Sequence, residues 1–269
     1  MNRRFVLVYV LFLALGCNGG EATLGDALAD AASADGSAVT GATSHVCDGD
    51  YVIEDAQGVA SISDCTTISG NLTVSNTTLT SLSLPNLVEI EGFFNCQLNP
   101  ALTSVSLPAL TTTGHVAFSG NDELTSMELA NLVTAGGMSL FVNKLTSLSL
   151  PKLESVTLEF DLEVIGQTPL TSVSLPELAT VDSDFIVRGT LLLTDLSLPK
   201  LVKVGSLVVY QHAALSNLTA PALTTVETYF RISENPALPT CQAQALLQQL
   251  SIFTGQTMIN GNNDTGTCP

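Results

Sequence analysis

Three carboxylates at alternate positions, Glu159, Asp161 and Glu163, form the densest cluster of chemistry-bearing side chains in this sequence. Alternate residues of a strand share one face, so a strand here would turn all three outward. The stacking pattern derived below sets Asp184 beside Glu159. Crowded carboxylates repel, and a hard cation such as Ca2+ would relieve that; a solvated acidic face would hold the same residues without an ion. Paired carboxylates also serve glycoside hydrolysis. A polysaccharide lyase would keep basic residues beside the acids, and none stands among residues 157–165.

Other chemistry is sparse. His45, His115 and His212 show no metal-ligand spacing. Phosphate loops, nucleophile elbows, Ser/His/Asp groupings and calcium nonapeptides are absent by pattern, so no catalytic residue and no cofactor is expected. Asn71, Asn76, Asn217 and Asn263 open N-x-[ST] sequons, which read as coincidence in a Thr-rich chain. A different kind of face is more promising. Phe93, Phe141, Arg188, Tyr210, Tyr229 and Arg231 fall on outward positions of successive strands, and aromatics and arginine dominate binding hot spots. Outward strand positions also favour aromatics for their own sake.

The elements that must position these residues are set by a repeat. The phrase L-T-S-L-S-L-P-x-L recurs in seven variants led by Leu79, Leu102, Leu124, Leu145, Leu170, Leu193 and Leu215, and Leu238 opens an eighth. Successive intervals are 23, 22, 21, 25, 23, 22 and 23 residues, which is incompatible with chance. Within one period, Leu82/Leu84 and Phe94/Cys96 are spaced by two, marking short strands with one buried face. Spacings of three between the pairs mark corners. Pro85 and its equivalents at 108, 151, 176, 199 and 221 hold one corner, where a missing N–H does least harm. Asn76, Asn99, Asn121, Asn143 and Asn235 precede the leading leucines and predict a stacked ladder of side-chain amides. The expected fold is all-β, a parallel solenoid of turns of about 23 residues stacked roughly 4.8 Å apart. A degenerate first turn over residues 59–74 and an amphipathic helix over residues 241–250 would close its ends.

Cysteines fit that plan. Cys47 pairs with Cys65 and Cys241 with Cys268, closing both ends; the second loop contributes roughly 3–4 kcal/mol by chain entropy. Cys96 shares an inward column with Phe118, Leu140, Val187, Val209 and Ile232 and reads as a buried small hydrophobe. His115 falls in an outward column and cannot activate it.

Residues 1–16 read as a signal peptide: two arginines, then an apolar run from Phe5 to Leu15 that is shorter than the roughly 20 residues of a membrane span. Leu13-Ala14-Leu15-Gly16-Cys17 resembles the bacterial lipobox, which implies acylation of Cys17, a lasting membrane anchor, and, with Asn18 following, the outer membrane or cell surface of a Gram-negative bacterium. Residues 17–45 are a polar tether, and residues 46–269 a single domain with caps at 47–74 and 236–268. Removing Arg3 and Arg4 with the leader takes the formal charge from −17 to −19. Such acidity excludes nucleic acid as a partner and electrostatic adhesion to anionic lipid.

The phrases Cys65-Thr-Thr-Ile68-Ser-Gly70-Asn71-Leu72-Thr73-Val74 and Asn235-Pro236-Ala237-Leu238…Cys241…Gly261-Asn262-Asn263…Cys268, with the LTSLSLPxL turns, resemble the receptor L-domain family over about residues 47–268. The turns also resemble BspA-type leucine-rich repeats. Both resemblances imply a right-handed β-solenoid used for binding, with more turns here than a typical L domain and no ligand site shared across the family. The sequence thus predicts a non-enzymatic surface lipoprotein whose solenoid face meets a protein or glycan ligand. A structural envelope spacer and a carbohydrate-active β-helix enzyme are the alternatives.

Overall fold

A computed structural model describes residues 44–142, 144–164 and 169–268, which form one compact unit. Cys17, the leader, nearly all of the tether and Asn143 lie outside the described residues. The chain coils as a β-solenoid of about eight turns. Long strands, among them Glu89–Gln97, Thr112–Ser119, Thr134–Val142, Thr180–Arg188, Lys203–Tyr210 and Thr225–Ser233, stack in parallel as one sheet of 13 strands. The S-x-S centres of the repeated phrase form short strands in three smaller sheets. One of these joins Ser81–Ser83, Ser104–Ser106 and Ser126–Glu128.

The leucines line the inside. Leu82, Leu84 and Leu87 are buried, as are their counterparts Val105, Leu107 and Leu110 in the next turn. Each turn buries them only against its neighbours, so truncating one such leucine to alanine would cost about 2–5 kcal/mol. Cys96 is buried in the predicted column between Val74 and Phe118. Its thiol is pushed up to about 12 by burial, against a small opposing effect of the Asn99 amide, which makes it inert as a nucleophile.

Both corners close as turns with a bond from residue i+3 back to residue i. At the proline corner the N–H of Leu87 donates to the Leu84 carbonyl, and Leu110, Leu153 and Leu201 repeat this with Leu107, Leu150 and Leu198. Pro85 therefore occupies the second position of a β-turn, where its fixed φ is favoured. At the opposite corner Leu102, Leu124 and Leu238 donate to Asn99, Asn121 and Asn235. There the amides form the expected ladder. Asn121 Nδ2 donates to the Cys96 carbonyl at 2.8 Å while its Oδ1 accepts from the Asn99 N–H at 3.1 Å.

Two details of the ladder differ from the sequence expectation. Asn76 is exposed, and Thr77 takes the rung, its N–H donating to Asn99 Oδ1 at 3.0 Å. Later rungs are Thr190 and His212, and Asn262 adds one beyond Asn235. The residue before each rung is left-handed: Asn76, Leu98, Gly120, Gly189, Gln211, Glu234 and Gly261 all have φ between 55° and 80°.

The caps are richer than their sequences suggest. Within the N-terminal cap, helix α1 (Ala56–Ser61) stands where only a degenerate coil was expected; Asp55 Oδ1 caps it, accepting from the N–H groups of Gln57 and Gly58 at 2.9 Å. Helix α2 (Thr240–Gln248) covers the other end as predicted, burying Ala243 and Leu246. Gln249 fastens it by donating to the carbonyls of Ala220 and Leu223. An additional strand, Gln256–Asn260, then pairs in parallel with Thr225–Ser233. The disulfides Cys47–Cys65 and Cys241–Cys268 are both formed.

Candidate recognition face on the long strands

Strand register places the outward residues of the long strands in three parallel columns. One runs Phe93, His115, Gly137, then Glu159, Asp184, Ser206 and Tyr229. The next includes Ser139, Asp161, Ile186, Val208 and Arg231, and the third Phe141, Glu163, Arg188 and Tyr210. All six aromatic and arginine candidates therefore share one sheet face. The four acids share it too, with Asp184 beside Glu159 as the period predicts.

The structure brings only part of the set into contact. Arg188 Nη1 donates to Tyr210 Oη at 3.1 Å, and its Nη2 pairs with Glu163 and lies 3.9 Å from Asp161 Oδ2. Arg231 lies over the Tyr210 ring at 3.8 Å, donates to Ser233 Oγ and pairs with Glu234 at 2.9 Å. Four successive turns are thus linked through Glu163, Arg188, Tyr210 and Arg231. Phe141 flanks Glu163 on the preceding turn. Tyr229 donates instead to Met258 Sδ at 3.6 Å. Phe93, 51 % exposed, stands apart and packs against His115 at 5.7 Å between centroids.

Arg188 changes the meaning of the acidic cluster. No base stands beside the acids along their own strand, but the next turn supplies one. Its guanidinium supplies a counter-charge to the acids, the part that a cation would otherwise play. Among the described residues no group of three or more His, Cys, Asp or Glu side chains is arranged to hold a metal ion. The neutralisation is incomplete. Burial pushes the Asp161 carboxyl up to about 6; Arg188 opposes this, while Glu163, Glu159 and Asp184 reinforce it. Asp161 Oδ1 and Arg188 Nε are both buried without a hydrogen-bond partner.

A second grouping brings together residues from three turns. Ser139 Oγ lies 3.3 Å from His115 Nε2 and 3.4 Å from Glu159 Oε1, with His115 Nδ1 3.9 Å from the same carboxylate oxygen. Gly137 permits this, because a methyl group there would sit 2.3 Å from His115 Nδ1. Burial lowers the pKa of His115, partly offset by Glu159. The one legible signal was the missing side chain at Gly137, between His115 and Glu159 in the column. His212 is no site residue: it is buried in the ladder, its Nε2 3.0 Å from the Val187 carbonyl, and burial lowers its pKa to about 4.

Comparison with protein families, with curated proteins and with solved structures finds no match to this chain.

Proposed function

We propose that this chain is a surface lipoprotein, exported and anchored through acylated Cys17, whose solenoid presents its long-strand face to a protein or glycan ligand without catalysing a reaction. The observation that carries this is the linked set Arg188, Tyr210 and Arg231, partly exposed on three successive turns of the sheet. Arginine and tyrosine held in place by neighbours lose little rotamer freedom on binding, which favours them as anchors. Support for export and anchoring comes from the lipobox-like ending at Cys17, and support for an extracytoplasmic setting from the two disulfides. The receptor L-domain resemblance points the same way.

The test is attachment of the full chain, displayed on cells, to host or bacterial surfaces. Tyr210→Ala and Arg188→Ala are expected to weaken attachment about tenfold or more while each variant still melts cooperatively from a folded state. Undiminished attachment in both variants would favour the envelope spacer.

A further inference from the structure

We infer that the ligand of this face is an uncharged polysaccharide, engaged where Asp161 and Arg188 meet between Phe141 and Tyr210. This deepens the binding proposal above and rests on it.

The chemistry of the spot is selective. Asp161 Oδ1 is an acceptor without a donor, and Arg188 Nε, on the neighbouring strand, is a donor without an acceptor. A ligand that satisfies both must offer a donor and an acceptor, as a polyol does. An ammonium or guanidinium ligand would serve Asp161 only and would sit against the charge of Arg188. A carboxylate, sulfate or phosphate ligand would serve Arg188 only, and would meet Glu159, Asp161, Glu163 and Asp184 on the same face. Charge therefore turns away ligands of either sign, and a neutral polyol remains.

Shape agrees with this. Phe141 and Tyr210 stand in one column with Glu163 and Arg188 between them, so three steps of the stack separate the two rings. At about 4.8 Å per step that is roughly 14 Å along the solenoid axis, a track for a chain molecule. Phe141 marks one end of the track, and at the other the Tyr210 ring, with Arg231 over one face, extends it as a tyrosine–arginine platform. An extended peptide would instead seek the unpaired backbone of a sheet edge, and this spot lies among interior strands, with Thr134–Val142 and Lys203–Tyr210 on either side of it. Side-chain exposure at Asp161 is 18 % and at Arg188 25 %. The two unpartnered atoms are themselves buried, so Arg188 must swing off Glu163 to admit a hydroxyl.

The full chain in detergent micelles, applied to arrays of neutral and uronic-acid polysaccharides, tests this. Retention on neutral polysaccharides is expected. Arg188→Lys, which keeps the charge but loses the fork, and Tyr210→Ala should each weaken it about tenfold or more. Lys200→Ala, outside the face, should not. Melting curves of all variants separate lost recognition from lost folding. Retention only on uronic-acid polymers would overturn the inference. So would binding of a purified polypeptide ligand that is sensitive to the same two variants, and that outcome leaves the binding face itself intact. Insensitivity of every retained ligand, glycan or polypeptide, to both variants would sink inference and binding face together.

Discussion

The guanidinium of Arg231 lies 3.8 Å from the centroid of the Tyr210 ring, whose hydroxyl accepts from Arg188 on the other neighbouring turn. One tyrosine thereby joins two cations through different parts of itself. Tyr210→Phe removes only the hydroxyl and is expected to destabilise by about 1 kcal/mol or less, since the pair is partly exposed. Tyr210→Ala also removes the ring beneath Arg231 and should lose up to about 1 kcal/mol more. Denaturant titrations of the two variants separate the contributions.

Acid sensitivity should contain two opposed components. Asp161 has a folded pKa raised to about 6 from an ordinary 3.8, so the folded chain holds the extra proton between those values. Its contribution therefore falls as pH rises from 4 to 6. His212 is shifted the other way, from 6.5 to about 4, and its contribution is lost as pH falls through that interval. Asp161→Asn should stabilise the fold at pH 7 by a margin on the order of 1 kcal/mol and change little at pH 4. His212→Asn keeps an amide rung and should flatten the loss between pH 6.5 and 4. Urea midpoints across that range check both signs.

Leu98 has φ of 55° and is 56 % exposed, so it bears the strain of a left-handed residue with little burial in return. The next turn uses Gly120 at the same step. Leu98→Gly is expected to stabilise by roughly 0.5–1 kcal/mol, relief of the strain exceeding the added chain entropy. A lowered denaturation midpoint would contradict it.

Adjacent glycines should respond very differently. A methyl at Gly136 would lie 1.7 Å from the Gly114 carbonyl oxygen, a backbone atom that cannot move without shifting a strand. Gly136→Ala is expected to destabilise by more than about 3 kcal/mol. At Gly137 the nearest atoms to the methyl belong to the imidazole of His115, a side chain that can shift where a backbone carbonyl cannot. Gly137→Ala should cost about 1 kcal/mol or less, and its signature is an altered His115 titration by NMR as the ring parts from Glu159.

What could be read from the sequence follows from what repeats. Leu82, Leu84, Leu87 and Pro85 recur with the period, so the coil, its inward columns and the placement of Asp184 beside Glu159 all emerge before any coordinates. Residues that do one job with different chemistry escape such reading. Thr190 and His212 take ladder positions that the eye expects of asparagine, and Asn76 misses its rung by one residue. Helix α1 is six residues long and strand Gln256–Asn260 carries no copy of the phrase, so neither gives a periodic signal. Arg188 was in plain view as an outward residue. Its pairing with Glu163 needs the register of two turns that are 25 residues apart in the chain.

Covalent closure is confined to the two ends, while the interior turns are joined only through bonds that each turn offers to the next. A whole period could therefore be duplicated or excised between the caps, and the flanking coils would find the same partners again. The number of turns becomes a heritable variable that can drift among descendants of such a gene independently of the two caps. Any patch built across several turns is diluted or doubled in the same event.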